Sequence, residues 1–164
     1  MFSEGVKIKL CQDEFVPQLT ELWKEYVVDQ VEEDPLLPYF DLEASTEGFR
    51  KNVEALMKKE PQGFLVALLD SEVVGFVVSF KEAFSPNYVM KRRIGQIQIV
   101  HVKRAFRRRG TATKLINAAF EYLKGNGCSV ILTETGEKNT ESMQMFEKLG
   151  FKQRGKLVAF MKEN

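Results

Sequence analysis

The sequence predicts one α/β domain spanning residues 1–164, with a mixed central β-sheet of about six to seven strands flanked by four helices. Three observations predict it. Short β-forming runs recur along the chain between stretches whose apolar residues repeat at helical spacing. Two of these runs, 64–69 and 73–80, flank a tight turn at Asp70-Ser71, which is a hairpin signal. A third run, ending at Val102, enters a dense basic turn, and Gly110 then opens an amphipathic helix.

In chain order, Val6, Ile8 and Leu10 alternate with lysines and give the first strand. Asp13 is a plausible cap for a helix with Phe15, Val16, Leu19, Leu22, Trp23, Tyr26 and Val27 on one stripe. The segment from Glu32-Glu33-Asp34-Pro35 to Pro38 is a break, acidic and proline-marked. A second helix is expected from about Thr46 to Lys59, turning Phe49, Val53, Leu56 and Met57 inward and ending at Pro61-Gln62-Gly63. After the hairpin, residues 81–92 read as a polar loop, and Ile94 to Val102 as a strand that includes Gln96 and Gln98.

The helix after Gly110 is the best patterned. Ala112, Leu115, Ile116, Ala119, Phe120 and Leu123 fall at i, i+3, i+4, i+7, i+8 and i+11, and Gly125 and Gly127 close it. Val130 to Thr135 is a further strand. Asn139 caps a helix reaching Leu149, which Gly150 stops, and 151–153 and 157–161 read as a closing strand pair. No linker, repeat or low-complexity segment interrupts this order.

Composition bounds the function. With 44% hydrophobic and 29% charged residues in 164, the chain has the make-up of a soluble globular domain. Its net charge is +1, yet five of the seven residues from Lys103 to Arg109 are Lys or Arg, so the basicity is local and suits a bound anion. Near-neutrality and the lack of an exposed aromatic series among residues 91–109 argue against nucleic acid as a partner. Cys11 and Cys128 fit no metal or redox spacing, and there is one histidine, so no metal is expected. Neither a signal-like start nor an apolar run of about 18 residues is visible, which reads as a cytoplasmic protein without a membrane partner.

Two motifs carry chemistry. Arg107-Arg108-Arg109-Gly110-Thr111-Ala112 lies between a strand and a helix, where free backbone N–H groups and positive charge meet. Asn139, Ser142 and Phe146 follow on one helical face, with Gly150-Phe151 behind them. Together, in order, they resemble the GNAT superfamily of N-acetyltransferases. Its phosphate loop reads Gln/Arg-x-x-Gly-x-Gly/Ala, and its next motif is Asn, often Ala three on, Tyr seven on, then Gly-Phe. The resemblance covers roughly residues 5–162 and is sharp from about 94 to 151.

The resemblance implies acyl transfer from acetyl-CoA to a primary amine, by a monomer or homodimer. Backbone N–H groups from about Arg108 to Ala112, with Thr113 next on the helix, would wrap the pyrophosphate. Gly110 would let the backbone approach it, and Arg107, Arg108 and Arg109 would add charge-assisted contacts. It further implies that the strands ending at Val102 and Thr135 splay apart. The pantetheine arm would then lie along Val100, His101 and Val102 as an added strand, and a backbone N–H there would face the thioester oxygen. For Val100 and Val102 a purely core role is compatible with this, since the arm would use main chain. Asn139 reads equally as a cap alone and as a cap that also touches CoA.

Two positions depart from the family's commonest choices. Phe146 stands where many members place the Tyr that protonates the departing thiolate, and Gln98 where many place a Glu base. Gln98 can hold a water but cannot take a proton, and Glu134 is the nearest carboxylate in the expected layout. His101 should face away from Val100 and Val102 and is read as structural, and Cys128 as packing. Tyr88 offers an alternative hydroxyl. The acidic loop at 32–34 suits a cationic acceptor, whereas Lys91-Arg92-Arg93 suits an acidic one, so the acceptor is left open. A non-catalytic acyl-CoA-binding module on the same fold is the competing reading.

Overall fold

A computed structural model of the chain describes residues 5–31, 41–81 and 92–155. The chain divides into two compact units, Met1–Glu134 and Thr135–Asn164. The first holds a five-stranded sheet in the order β1-β2-β3-β4-β5: β1 Val6–Leu10, β2 Phe64–Leu69, β3 Glu72–Lys81, β4 Ile94–Val102 and β5 Val130–Thr133. Neighbours are antiparallel through β4, and β4 pairs β5 in parallel, so the sheet is mixed. Among the described residues there are five strands, below the six to seven expected. Residues 151–153 lie in no strand, and 157–161 fall outside the described residues.

Helices α1 (Val16–Val31) and α2 (Leu42–Lys59) cover one face of the sheet. Leu19 and Leu22 of α1, Phe49 and Val53 of α2, and Phe64, Val66, Phe76 and Val78 of the strands form one buried cluster there. Helix α3 (Thr111–Gly125) covers the other face with Leu115, Ile116, Ala119 and Leu123, each at most 1% exposed. Phe120, expected on the same stripe, is 38% exposed. The close seat of α3 depends on Gly95, where a Cβ would stand 2.8 Å from Leu123 Cδ2.

Two helix starts differ from expectation. Asp13 does not cap α1, because residues Asp13–Phe15 first make a turn of 3₁₀ helix with no side-chain cap. Helix α2 begins at Leu42 rather than near Thr46, since Asp41 Oδ1 accepts from the Ala44 N–H at 2.9 Å. The hairpin turn is as expected, with Asp70 at φ +54°.

The second unit carries α4, Thr140–Lys148. Asn139 caps it as expected, Oδ1 accepting from the Ser142 N–H at 3.0 Å. Gly150 at φ +88° ends it, and the Phe146 ring packs edge-on to Phe151 at 5.4 Å between centroids.

Candidate active site

Strand β4 changes character half-way along. On one side it pairs β5 from Ile94↔Val130 to Ile97↔Thr133, and no further. On the other side β3 pairs Ser79↔Ile97 and then Val78↔Ile99, so Gln98 is an extra residue, a β-bulge with no residue opposite. From Gln98 to Val102, β4 therefore has a neighbour on the β3 side alone among the described residues.

The register says which main-chain groups face the gap. Lys103 donates its N–H to Val74 O at 2.9 Å. In an antiparallel pair, hydrogen-bonded and non-bonded positions alternate. Stepping back from Lys103, His101 and Ile99 bond to β3, while Val102 and Val100 turn their N–H and C=O away from it. Val102 O meets the Arg107 guanidinium, whose Nε donates to it at 2.8 Å. Val100 keeps both groups toward the gap. Their side chains point to the α3 face, and that of His101 to the opposite face, as expected from alternation.

β4 leads into the loop Lys103–Gly110, which holds one 3₁₀ turn at Arg104–Phe106. Two of its residues have left-handed backbone, Arg108 at φ +62° and Gly110 at φ +80°. Such turns direct successive N–H groups into one concavity, a setting for an anion. Gly110 is also the N-cap of α3 and brings no side chain to it. The helix's own ladder starts with Lys114 N–H donating to Gly110 O at 3.1 Å, so the N–H groups of Thr111, Ala112 and Thr113 stand ahead of it. A Cβ built on Gly110 meets nothing within 4 Å, so the space above it is open to a ligand. Thr111 Oγ1 is buried beneath this helix end without a hydrogen-bond partner.

The three arginines of the motif divide by role. Arg108 and Arg109 are exposed, and Arg109 Cζ lies 5.6 Å from the centre of the Phe106 ring. Arg107, read from the sequence as a phosphate contact, instead turns its guanidinium to Val102 O and to Asp29 on α1. Arg104 joins it, Nε donating to Asp29 Oδ1 at 2.8 Å and backbone N–H to Glu25 Oε1 at 2.7 Å. His101 is 5% exposed, its ring edge-on to Tyr26 at 5.7 Å and its Nε2 3.4 Å from Glu25 Oε1 without making a hydrogen bond. Burial, aided by the Arg107 charge, lowers its pKa to about 4, so it is neutral at pH 7. Burial opposes ionisation of Asp29, but hydrogen bonds from Arg107 and Arg104 hold its carboxyl below the usual range.

The remaining expected site residues lie as follows. Gln98 is exposed on the bulge. Glu134 is exposed and falls just past β5, which ends at Thr133 rather than Thr135, so strand alternation does not govern its direction. Ser142 and the buried Phe146 lie on α4 in the second unit, and Asn139 caps it. Cys128 is 4% exposed, as a packing residue should be. The expectations on Glu32, Glu33, Asp34, Tyr88 and Lys91 lie outside the described residues.

Strand β4 thus bulges where it loses one neighbour, and a loop with two left-handed residues follows it to the start of α3. The profile of the acetyltransferase (GNAT) family matches residues 16–151. The chain belongs to the GNAT family. It is 33% identical over 99 residues to an uncharacterized N-acetyltransferase of Methanocaldococcus jannaschii, a match covering 60% of this chain and 43% of that one. N-alpha-acetyltransferase 30 of Schizosaccharomyces pombe is 29% identical over 91 residues, 56% of this chain and 58% of the other. The matched stretch thus spans about half the length of these curated relatives. Among solved structures, the aminoglycoside N-acetyltransferase AAC(6')-Iy in complex with CoA superposes with a TM-score of 0.73 at 19% identity, covering 97% of this chain and 95% of its own. A protein of Pyrococcus horikoshii gives 0.71 at 26% identity, covering 93% and 92%. The fold is therefore the single α/β GNAT fold. No helix among the described residues is long and apolar enough to cross a membrane.

Proposed function

We propose that this GNAT protein is an acetyl-CoA-dependent N-acetyltransferase that moves an acetyl group to a primary amine, on a small molecule or on a peptide N-terminus or lysine, by direct attack on the thioester. The observation that carries the reading is the pairing of a strand edge at Val100, unfilled among the described residues, with a helix start at Gly110 that no side chain caps, ten residues further along the same chain. A CoA thioester carries an amide-bearing arm that runs from the thioester to a pyrophosphate, and these two features fit that arm and that pyrophosphate. The N–H groups from Arg108 to Thr113 would bond the pyrophosphate, with the exposed Arg108 and Arg109 adding charge. The arm would lie along Val100 by main-chain bonds. A β4 N–H in the gap would also stabilise the negative charge that builds on the thioester oxygen during attack.

Proton handling is the distinctive part. The acceptor ammonium must lose a proton before it attacks, and the departing thiolate must gain one. Gln98 stands exposed at the bulge and offers its amide to orient a water rather than to take the proton itself. Glu134 supplies the nearby carboxylate as a candidate base. Phe146 brings no hydroxyl, so the thiolate would leave unassisted or take its proton from water. That is feasible for a thiol whose pKa lies near about 8.5. Asn139 would combine its observed capping of α4 with a contact to CoA, beside Ser142.

The same two residues, Gln98 and Phe146, motivate a second reading, an acyl-CoA-binding module without turnover. Free CoA release, followed with a thiol reagent over a panel of amines, separates the two. Acceptor-dependent release supports the enzyme. Saturable binding with no release from any amine supports the module.

A further inference from the structure

Among the described residues, three carboxylates hold the loop that would receive the pyrophosphate: Glu72 pairs with Lys103, Glu25 accepts from the Arg104 backbone, and Asp29 takes the side chains of both Arg104 and Arg107. Both oxygens of Asp29 are engaged, Oδ1 by Arg104 and Oδ2 by Arg107. The side chain of Asp29 is only 15% exposed, whereas those of Arg104 and Arg107 are 58% and 37% exposed, so the acid is the buried end of the pair. One helical turn earlier on α1, Glu25 accepts the Arg104 backbone N–H. The two carboxylates thus face two guanidiniums and a neutral His101, a charge-balanced set.

Glu25, Asp29 and His101 lie close enough together to hold a metal ion. However, guanidiniums already occupy the space in front of both Asp29 oxygens, and a dication there would meet two like charges. Packing does not explain the set either, because α1 is already seated by Leu19, Leu22 and Val27, all buried. What the set does hold is geometry. Arg107 is tied at once to Asp29 and to Val102 O, and the left-handed Arg108 follows directly after it.

We propose that Asp29 is a positioning residue for the donor site: through Arg107 and Arg104 it holds the Lys103–Gly110 loop in the conformation that turns its N–H groups outward. Val100 faces the gap by strand register and does not depend on the contact of Arg107 with Val102 O, so the effect is confined to the pyrophosphate end. The inference rests on the reading of this loop as the acyl-CoA site.

The test compares wild type with Asp29→Asn, which keeps the volume and loses the charge, and Asp29→Glu, which keeps the charge. In the ligand-free proteins, amide hydrogen exchange across residues 104–110 rises in Asp29→Asn while the buried α1 amides keep their protection. In binding, Asp29→Asn weakens acetyl-CoA about tenfold, but changes S-acetylpantetheine, which lacks the pyrophosphate, by less than about twofold. Asp29→Glu recovers most of the loss, and kcat at saturating acetyl-CoA stays within about twofold in all three. Unchanged loop exchange overturns the proposal, and so does equal loss of both ligands, which would mark a general structural defect. A wild type that binds no acetyl-CoA refutes the functional reading itself, and the exchange comparison then still decides whether Asp29 anchors the loop.

Discussion

The buried His101 makes this protein acid-labile in a way that one substitution can isolate. The side chain is 5% exposed, and burial together with the nearby Arg107 charge lowers its pKa from 6.5 to about 4. In the unfolded chain the imidazole takes up a proton as pH falls below 6.5, while the native protein resists doing so until about pH 4. Protons therefore favour the unfolded state across that window, and stability present above pH 6.5 is lost as pH falls toward 4. At about 1.4 kcal/mol per pH unit, the loss amounts to about 3 kcal/mol. That is a large share of the ~5–15 kcal/mol that holds a typical domain together. Urea unfolding of the wild type and of His101→Gln at pH 7.5, 6, 5 and 4.2 measures it. The wild type should lose about 3 kcal/mol more than the variant between the first and last of these. Because the chain has one histidine, its imidazole NMR signals give the native titration directly. A midpoint near 6.5 in the folded protein, or parallel stability curves for the two proteins, would refute the reasoning.

Three further outcomes are expected. Gly95→Ala forces a Cβ to within 2.8 Å of Leu123, a residue that is fully buried, and should destabilise by about 1–3 kcal/mol, read as a fall in Tm of several degrees. Asn139→Ala removes the oxygen that accepts the Ser142 N–H and should lower stability by about 1 kcal/mol in denaturant unfolding, whereas Asn139→Asp should be nearly neutral. Restoring the missing acid–base groups should speed turnover. Gln98→Glu and Phe146→Tyr are each expected to raise kcat for an accepted amine by up to about 10²-fold, and no gain in either would place proton transfer outside the rate-limiting step.

Much of the fold was legible because it rests on local signals. The hairpin at Asp70, the stripe of α3, the caps at Gly110 and Asn139 and the stop at Gly150 are each written within a few neighbouring residues. The errors came where two local signals competed. The helix expected from about Thr46 begins earlier because Asp41, five residues before Thr46, supplies a side-chain cap and starts the helix at Leu42. The ending of β5 at Thr133 reflects the loss of its partner at the β4 bulge, and a bulge depends on strand register rather than on composition.

Within the site, the turn that opens α3 was readable because strand, glycine and helix stand next to one another in sequence. The role of Arg107 was not, since its partner Asp29 lies on α1, 78 residues earlier, where a lone acid on a helix face looks like any solvated charge. Likewise, Gln98 could be compared with the family's usual base, but only the pairings of Ile97 and Ile99 reveal it as the bulged residue at which the strands part.

Titration calorimetry of acetyl-CoA against the wild type and Gly110→Glu tests the central claim most directly. Gly110 has φ +80° and open space above it, so a glutamate there adds both backbone strain and a negative charge where the pyrophosphate would sit. Saturable one-site binding by the wild type and its loss in a still-folded Gly110→Glu is the result expected. No wild-type binding at millimolar acetyl-CoA, or equal binding by the two proteins, would contradict the account.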